Sequence, residues 1–184
     1  MIITNSGNLI ISKHPIKYIN SIEYAECKGD DCLARKGALL CSVEINGMTL
    51  QILGTHLQAG GGNGRSEIRA NQRKQIAELL KQNKVTGVAQ ILCGDFNTNK
   101  YEVKKYNQLI RSLQLEEEHI SETETWPAKS YKTKKMHQSI LDYIFYKPNG
   151  TAINILSYNI MDFVHPKTKL ALADHAAVEA VITW

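Results

Sequence analysis

Three strings place chemically capable side chains where apolar runs give out. They are Gly54-Thr55-His56-Leu57-Gln58-Ala59 after the run Thr49 to Leu53, Gly94-Asp95-Phe96-Asn97 after Ala89 to Cys93, and Ala173-Asp174-His175 just before Ala176 to Thr183. Asp142, at the head of Leu141-Asp142-Tyr143, adds a second carboxylate. An uncompensated charge at the end of a buried strand is costly, so ionisable groups gathered at such places point to a site. A histidine can take a proton near neutral pH, a carboxylate can fix its tautomer, and amide and imidazole N–H groups can stabilise developing negative charge. Together these groups suit hydrolysis. Each also has an ordinary reading alone: His56 as a satisfied core histidine, Asp95 with Asn97 as an Asx turn, Asp174 as a cap or turn residue. Three clusters at three strand ends favour convergence on one rim.

The elements that must position these groups follow from period and punctuation. Gly7 to Ser12 reads as a strand ending at the Pro15 turn. Lys36 to Ile45 and Met48 to Leu57 flank Asn46-Gly47, a strong hairpin signal. After the glycine-rich loop Gly60 to Gly64, read as a connector rather than a phosphate cradle, Ser66 to Gln82 has helical spacing. Ala89 to Cys93 has the apolar character of a doubly buried strand, and Tyr101 to Leu113 reads as a second helix. The polar stretch Glu116 to Gln138 is long enough to suspect function. Ile140 to Tyr146, Ala152 to Tyr158 and Ala176 to Thr183 read as three further strands. The fold class is α/β (α+β): mixed sheets with helices outside, in one domain over residues 1–184, without repeat or linker.

At 184 residues and 43% hydrophobic, the chain is large enough for a core and lacks the bias of disordered or fibrous sequences. Its net charge of +4 comes from interspersed residues, 22 basic and 18 acidic, and does not imply strong nucleic-acid binding. No apolar run approaches the roughly 20 residues of a membrane helix, and the N-terminus lacks the basic region and cleavage site of a signal peptide. Localisation stays open between secreted or periplasmic, if a signal peptide was removed, and cytoplasmic. Cys41 and Cys93 fall in strand-like runs and are expected to be buried thiols. Cys27 and Cys32 lie in a polar loop, in reach of a local disulfide in an oxidising compartment.

Taken in order, Thr55-His56-Leu57, Gly94-Asp95-Phe96-Asn97, Leu141-Asp142-Tyr143-Ile144 and Ala173-Asp174-His175 resemble the endonuclease/exonuclease/phosphatase superfamily. The longer string Gly54 to Ala59, Arg69 and Gln72 after it, and the opening Gly7 to Ile16 are similar to neutral sphingomyelinases, as are the loop Tyr24 to Gly37 and Thr125-Trp126. The resemblance implies part of a four-layer α/β/β/α sandwich of two mixed sheets with outer helices. It implies His175 as the general base on water, with Asp174 orienting it or in the metal shell, and His56 and Asn97 as substrate-binding groups on the phosphate. Asp95 is expected to hold the nucleophile side together, and Asp142 to hydrogen-bond His56. The implied cofactor is Mg²⁺ or another hard divalent cation, with Asp174 as its ligand here.

The family's main metal-binding Glu comes from an N-terminal portion, and neither Glu23 nor Glu26 matches it. The chain is therefore expected to be the C-terminal part of the fold, with an exposed sheet face prone to self-association. Ala173 replaces the usual serine before Asp-His, a change expected to be tolerated. The leading expectation is hydrolysis of sphingomyelin, a phospholipid substrate at a membrane surface, to ceramide and phosphocholine. Ile160, Met161, Phe163 and Val164 before Lys167 and Lys169 read first as strand plus loop and otherwise as a membrane contact. The alternatives are a nuclease or other phosphoesterase, for which Lys129 to Lys135 is the one basic run, and a catalytically inactive fragment or binding module.

Overall fold

The Asn46-Gly47 turn shows how local sequence builds the central sheet. Both residues take positive φ, 51° and 79°, the geometry a tight hairpin requires. They join β4 (Gly37–Ile45) to β5 (Met48–His56) in unbroken antiparallel register. The computed structural model describes residues 4–5, 7–62, 64–116, 125–126 and 139–184. The expectations for most of the polar stretch Glu116 to Gln138, including the basic run Lys129 to Lys135, lie outside the described residues.

In chain order the other elements are β1 (Thr4–Asn5), β2 (Ile16–Glu23), β3 (Ala34–Arg35), α1 (Arg65–Gln82), β6 (Gln90–Asp95), α2 (Val103–Leu113), β7 (Asp142–Lys147), β8 (Asn154–Met161) and β9 (Ala177–Thr183). Five strands form the main sheet in the order β2-β4-β5-β6-β7, with β5 and β6 parallel and the other neighbours antiparallel. β8 and β9 form an antiparallel ribbon, and β1 pairs with β3.

The chain is thus a mixed α+β fold. One face of the main sheet buries Leu40, Leu53, Leu92 and Phe145 against Ile76 and Leu80 of α1 and Leu109 and Leu113 of α2. Each such side chain contributes about 1.5–3 kcal/mol by leaving water. The other face packs Leu50, Ile91 and Tyr146 against Ile153 and Ile155, with Ile182 beside them. Of the four-layer plan, the described residues show a helix layer, the main sheet and the β8–β9 ribbon.

One expected strand is not formed, and three were not expected: β2 and the two-residue β1 and β3. Gly7 to Ser12 takes no regular secondary structure, with Leu9 and Ile11 exposed at 75% and 83%, and belongs to none of the described ladders. Its alternation is sound, but it lies against the sheet instead of extending it. Asn8 Nδ2 donates to the Gly37 carbonyl at 3.0 Å, and Ile10 lies over Gly54. The strand in this region is β2. Among the described strands it pairs with β4 alone, through an irregularity between Tyr18 and Asn20. An edge strand with a bulge tolerates Lys17, Asn20 and Ser21, which hides it from a search for alternation.

Gly94 sets how closely β5 and β6 approach. Its φ is +139°, and a Cβ there would fall 1.9 Å from the Thr55 carbonyl oxygen, a contact no rotamer relieves. Gly94→Ala is expected to cost about 3 kcal/mol or more through strain and forced strand separation. An unchanged melting temperature for the variant would contradict this.

Candidate functional site

The register of the main sheet brings three polar strand ends to one rim. His56, the last residue of β5, is the Cα partner of Asp95, the last of β6, and Asp95 is the partner of Asp142, the first of β7. Paired residues project to the same side of a sheet, so these side chains share one edge site. His175, just before β9, arrives from the second sheet. The backbone N–H of its neighbour Ala176 donates to the Thr125 carbonyl at 2.8 Å.

His175 is fixed from one side. Its Nδ1–H donates to Asp142 Oδ2 at 2.7 Å, leaving Nε2 aimed into the site, 4.0 Å from Asp95 Oδ2. Burial alone would lower the imidazole's pKa, but the hydrogen bond and charge of Asp142, with the charges of Asp95 and Asp174, outweigh it. The result is a pKa held above the ordinary histidine value. Fully buried Thr125 supports the carboxylate from behind: its Oγ1 accepts the backbone N–H groups of Leu141 and Asp142 at 3.0 and 3.2 Å. The Trp126 ring lies 6.3 Å from the His175 ring, centre to centre. The Thr125-Trp126 dipeptide was the sequence signal for these supports.

A second chain of contacts runs through His56. Lys36 Nζ spends its three N–H groups on Asp31 Oδ2 at 2.9 Å, His56 Nε2 at 2.9 Å and the Leu57 carbonyl at 3.0 Å. His56 Nε2 is thus an acceptor with its proton on Nδ1, and its 3.2 Å approach to Asp95 Oδ2 is proximity rather than a hydrogen bond. Asp31 also accepts the Ala59 N–H at 2.6 Å, so the turn between Cys27 and Cys32, which form a disulfide, is tied to the end of β5. Arg69 and Gln72 secure the same strand end. Arg69 Nη1 donates to the carbonyls of Gln58 and Gly60, at 2.9 and 2.7 Å, and Gln72 Oε1 accepts the Gln58 N–H at 2.9 Å. Sequence reasoning placed Lys36, Arg69 and Gln72 in matching strings but gave no role to the Lys36–Asp31 pair.

One expected pairing changes. Asp142 hydrogen-bonds His175 rather than His56, because its register on β7 faces the incoming loop before β9 while Lys36 occupies His56. Asn97 directs its amide N–H groups inward, to the Leu57 carbonyl at 3.1 Å and Asp95 Oδ2 at 2.9 Å, and its backbone N–H to Asp95 Oδ1 at 2.7 Å. Held at φ 47°, it positions Asp95. Asp174 is exposed beside His175, outside the cluster that the other three residues form.

Among the described residues, ligand atoms of Asp95, Asp142 and His175 lie within 4.8 Å of one another and could hold a metal ion. Two carboxylates and one imidazole fit a hard or borderline divalent cation better than a thiophilic one. With Asp142 engaged by His175, the carboxylate of Asp95 is the donor best placed for an ion.

Residues 3–181 match the Endonuclease/Exonuclease/phosphatase family 2. Sphingomyelinase C of Bacillus cereus is 27% identical over 155 residues, 77% of this chain and 46% of that protein. Phospholipase C of Staphylococcus aureus is 29% identical over 154 residues, 77% of this chain and 46% of that protein. The chain spans about half the length of these curated relatives. Two crystal structures of beta toxin from Staphylococcus aureus superpose with TM-scores of 0.75 and 0.72, the second with bound magnesium ions. Each is 21% identical, and they cover 97% and 96% of this chain and 71% of theirs. With nearly its whole length matched and its polar strand ends gathered at one rim, the chain belongs to the Endonuclease/Exonuclease/phosphatase family 2.

Proposed function

We propose that this chain carries the base-bearing part of a metal-dependent phosphodiesterase that hydrolyses sphingomyelin to ceramide and phosphocholine. The observation that carries the reading is the 2.7 Å bond from His175 Nδ1 to Asp142, which leaves Nε2 facing Asp95 across the site. In the reaction His175 Nε2 takes a proton from the attacking water while Asp142 holds the opposite ring nitrogen and stabilises the imidazolium that forms. His56, fixed by Lys36, lines the same rim and contacts the phosphate; Asn97 keeps Asp95 in place. Asp95 is the residue best placed to hold Mg²⁺, with Asp142 and His175 beside it and Asp174 outside that group, and the ion when bound would neutralise charge on the non-bridging oxygens.

Support for a lipid substrate comes from the similarity to Sphingomyelinase C and from the turn between β8 and β9. There Phe163, Val164, Leu170 and Leu172 are exposed at 61%, 37%, 39% and 65% around Lys167 and Lys169. Exposed apolar groups beside lysines suit contact with a phospholipid surface. The Cys27–Cys32 disulfide supports an oxidising compartment, secreted or periplasmic. The test is phosphocholine release from sphingomyelin vesicles with Mg²⁺, with chelator, and with Mg²⁺ restored. Release in the first and third conditions alone is expected; release indifferent to metal, or none from sphingomyelin, overturns the reading.

A further inference from the structure

At the far end of β6 from Asp95, a distance of about 16 Å along the strand, a cavity opens between the C-terminal ends of α1 and α2. It has a volume of about 510 Å³ and is bordered by Lys74, Lys81, Lys84 and Lys147, with Glu78 as its one acidic residue. Its size falls within the range of small-molecule sites. Glu78 Oε1 accepts from Gln82 Nε2 at 2.9 Å, and none of the four lysines forms an ion pair with a described residue.

Lysines near helix C-termini ordinarily serve to satisfy terminal carbonyls. Here other groups have taken most of that task. On α1 the Leu79 carbonyl accepts from Asn83 through both backbone and side chain, Leu80 accepts from Gln90 Nε2 at 3.1 Å, and Lys81 accepts from the Lys84 backbone N–H at 3.4 Å. On α2 the Leu113 carbonyl takes one N–H of Lys147 Nζ at 2.8 Å, the single hydrogen bond among the four lysine ammonium groups within the described residues. The cluster therefore holds cationic donors beyond what the helix ends use, lining one cleft, with Lys74, Lys81 and Lys84 solvent-exposed. Burial and then the charge of Lys84 lower the Lys147 pKa, as expected for a cation crowded by another and not offset by an anion.

We propose that this cleft is a second ligand site, separate from the His175 rim, that binds a multiply charged phosphate group. Lys81 and Lys84 approach it from the end of α1 and Lys147 from the end of β7. A compact ammonium grips phosphate as a point charge, and several converging on one cleft favour an anion that carries more than one charge. The phosphate can belong to a soluble ligand or to a lipid headgroup.

The test is calorimetric titration of the metal-free protein with pyrophosphate at low salt, comparing wild type, Lys81→Glu/Lys84→Glu, Lys81→Met/Lys84→Met and His175→Ala. Saturable binding is expected in wild type and His175→Ala, and weakening of about tenfold or more in both lysine variants, equivalent to about 1.4 kcal/mol. The Met variant decides the matter if charge reversal impairs folding. No binding to wild type, undiminished binding in the folded lysine variant, or loss in His175→Ala alone overturns the proposal. Sedimentation with phosphatidylcholine vesicles, with and without an anionic phospholipid, separates the sources. Lysine-dependent capture by anionic vesicles assigns the phosphate to a headgroup, and pyrophosphate binding without capture assigns it to a soluble ligand.

Discussion

His175→Ala is expected to lower kcat for phosphocholine release by about 10²–10⁴-fold with little change in KM, the usual contribution of a positioned general base. At the middle of that range the loss corresponds to about 4 kcal/mol of transition-state stabilisation. The fold should survive, because the side chain is 26% exposed and its hydrogen bond is made to Asp142 at the rim, outside both apolar clusters. Added imidazole should recover part of the rate by entering the vacated space beside Asp142. Activity equal to wild type, with an unchanged melting temperature, would remove His175 from the mechanism.

That expectation rests on a geometry whose parts were legible to different degrees. The hairpin around Asn46-Gly47, the long helix after the glycine loop and the buried strand before Gly94 were all readable, because each depends on local chemistry: a turn needing positive φ, a helical period, an apolar run. The rim was readable too, since His56, Asp95 and Asp142 each terminate or begin an apolar run, and chain order alone places them at strand ends. Register was not readable. Which carboxylate meets which histidine depends on β5, β6 and β7 aligning His56, Asp95 and Asp142 at one level and on where the loop before β9 crosses them. A one-residue slip would turn these side chains to the other face, and no local signal reports the slip.

The same limit explains Lys36. Alone in the sequence it is one basic residue after Arg35, yet its side chain is 10% exposed and bridges Asp31 to His56. Such a cation is held by Asp31 of the nearby 27–32 turn and by His56 and Leu57 at the end of β5, some twenty residues on in the chain. Long-range satisfaction of a buried charge is a property of the fold, not of spacing. The exposed alternation of Leu9 and Ile11 is the converse case: the local pattern of a strand is present, but a strand also needs a hydrogen-bonding neighbour, and none of the described ladders supplies one.

Asp142→Asn separates orientation from charge at the base. The backbone around residue 142 should hold, because Thr125 Oγ1 accepts the main-chain N–H groups of Leu141 and Asp142 whichever side chain stands at 142. An asparagine can present either its oxygen or its NH₂ to His175 Nδ1. The second choice puts the imidazole proton on Nε2, where the ring can no longer accept one from water. A fall of about 10²–10⁴-fold in kcat is expected, by analogy with the loss of the orienting carboxylate in a serine protease triad. The pH profile carries the sharper signature. In the proposed reaction His175 would act as a base only when neutral, hence above its pKa, and in the native protein Asp142 helps to hold that pKa above the ordinary value. Removing the carboxylate's charge leaves burial less opposed, the pKa falls, and the acidic limb of the kcat profile should move to lower pH even as the plateau drops. A merely destabilised variant would lose activity without moving the limb. A limb that stays in place or moves to higher pH would show that Asp142 does not set the ionisation of the working base.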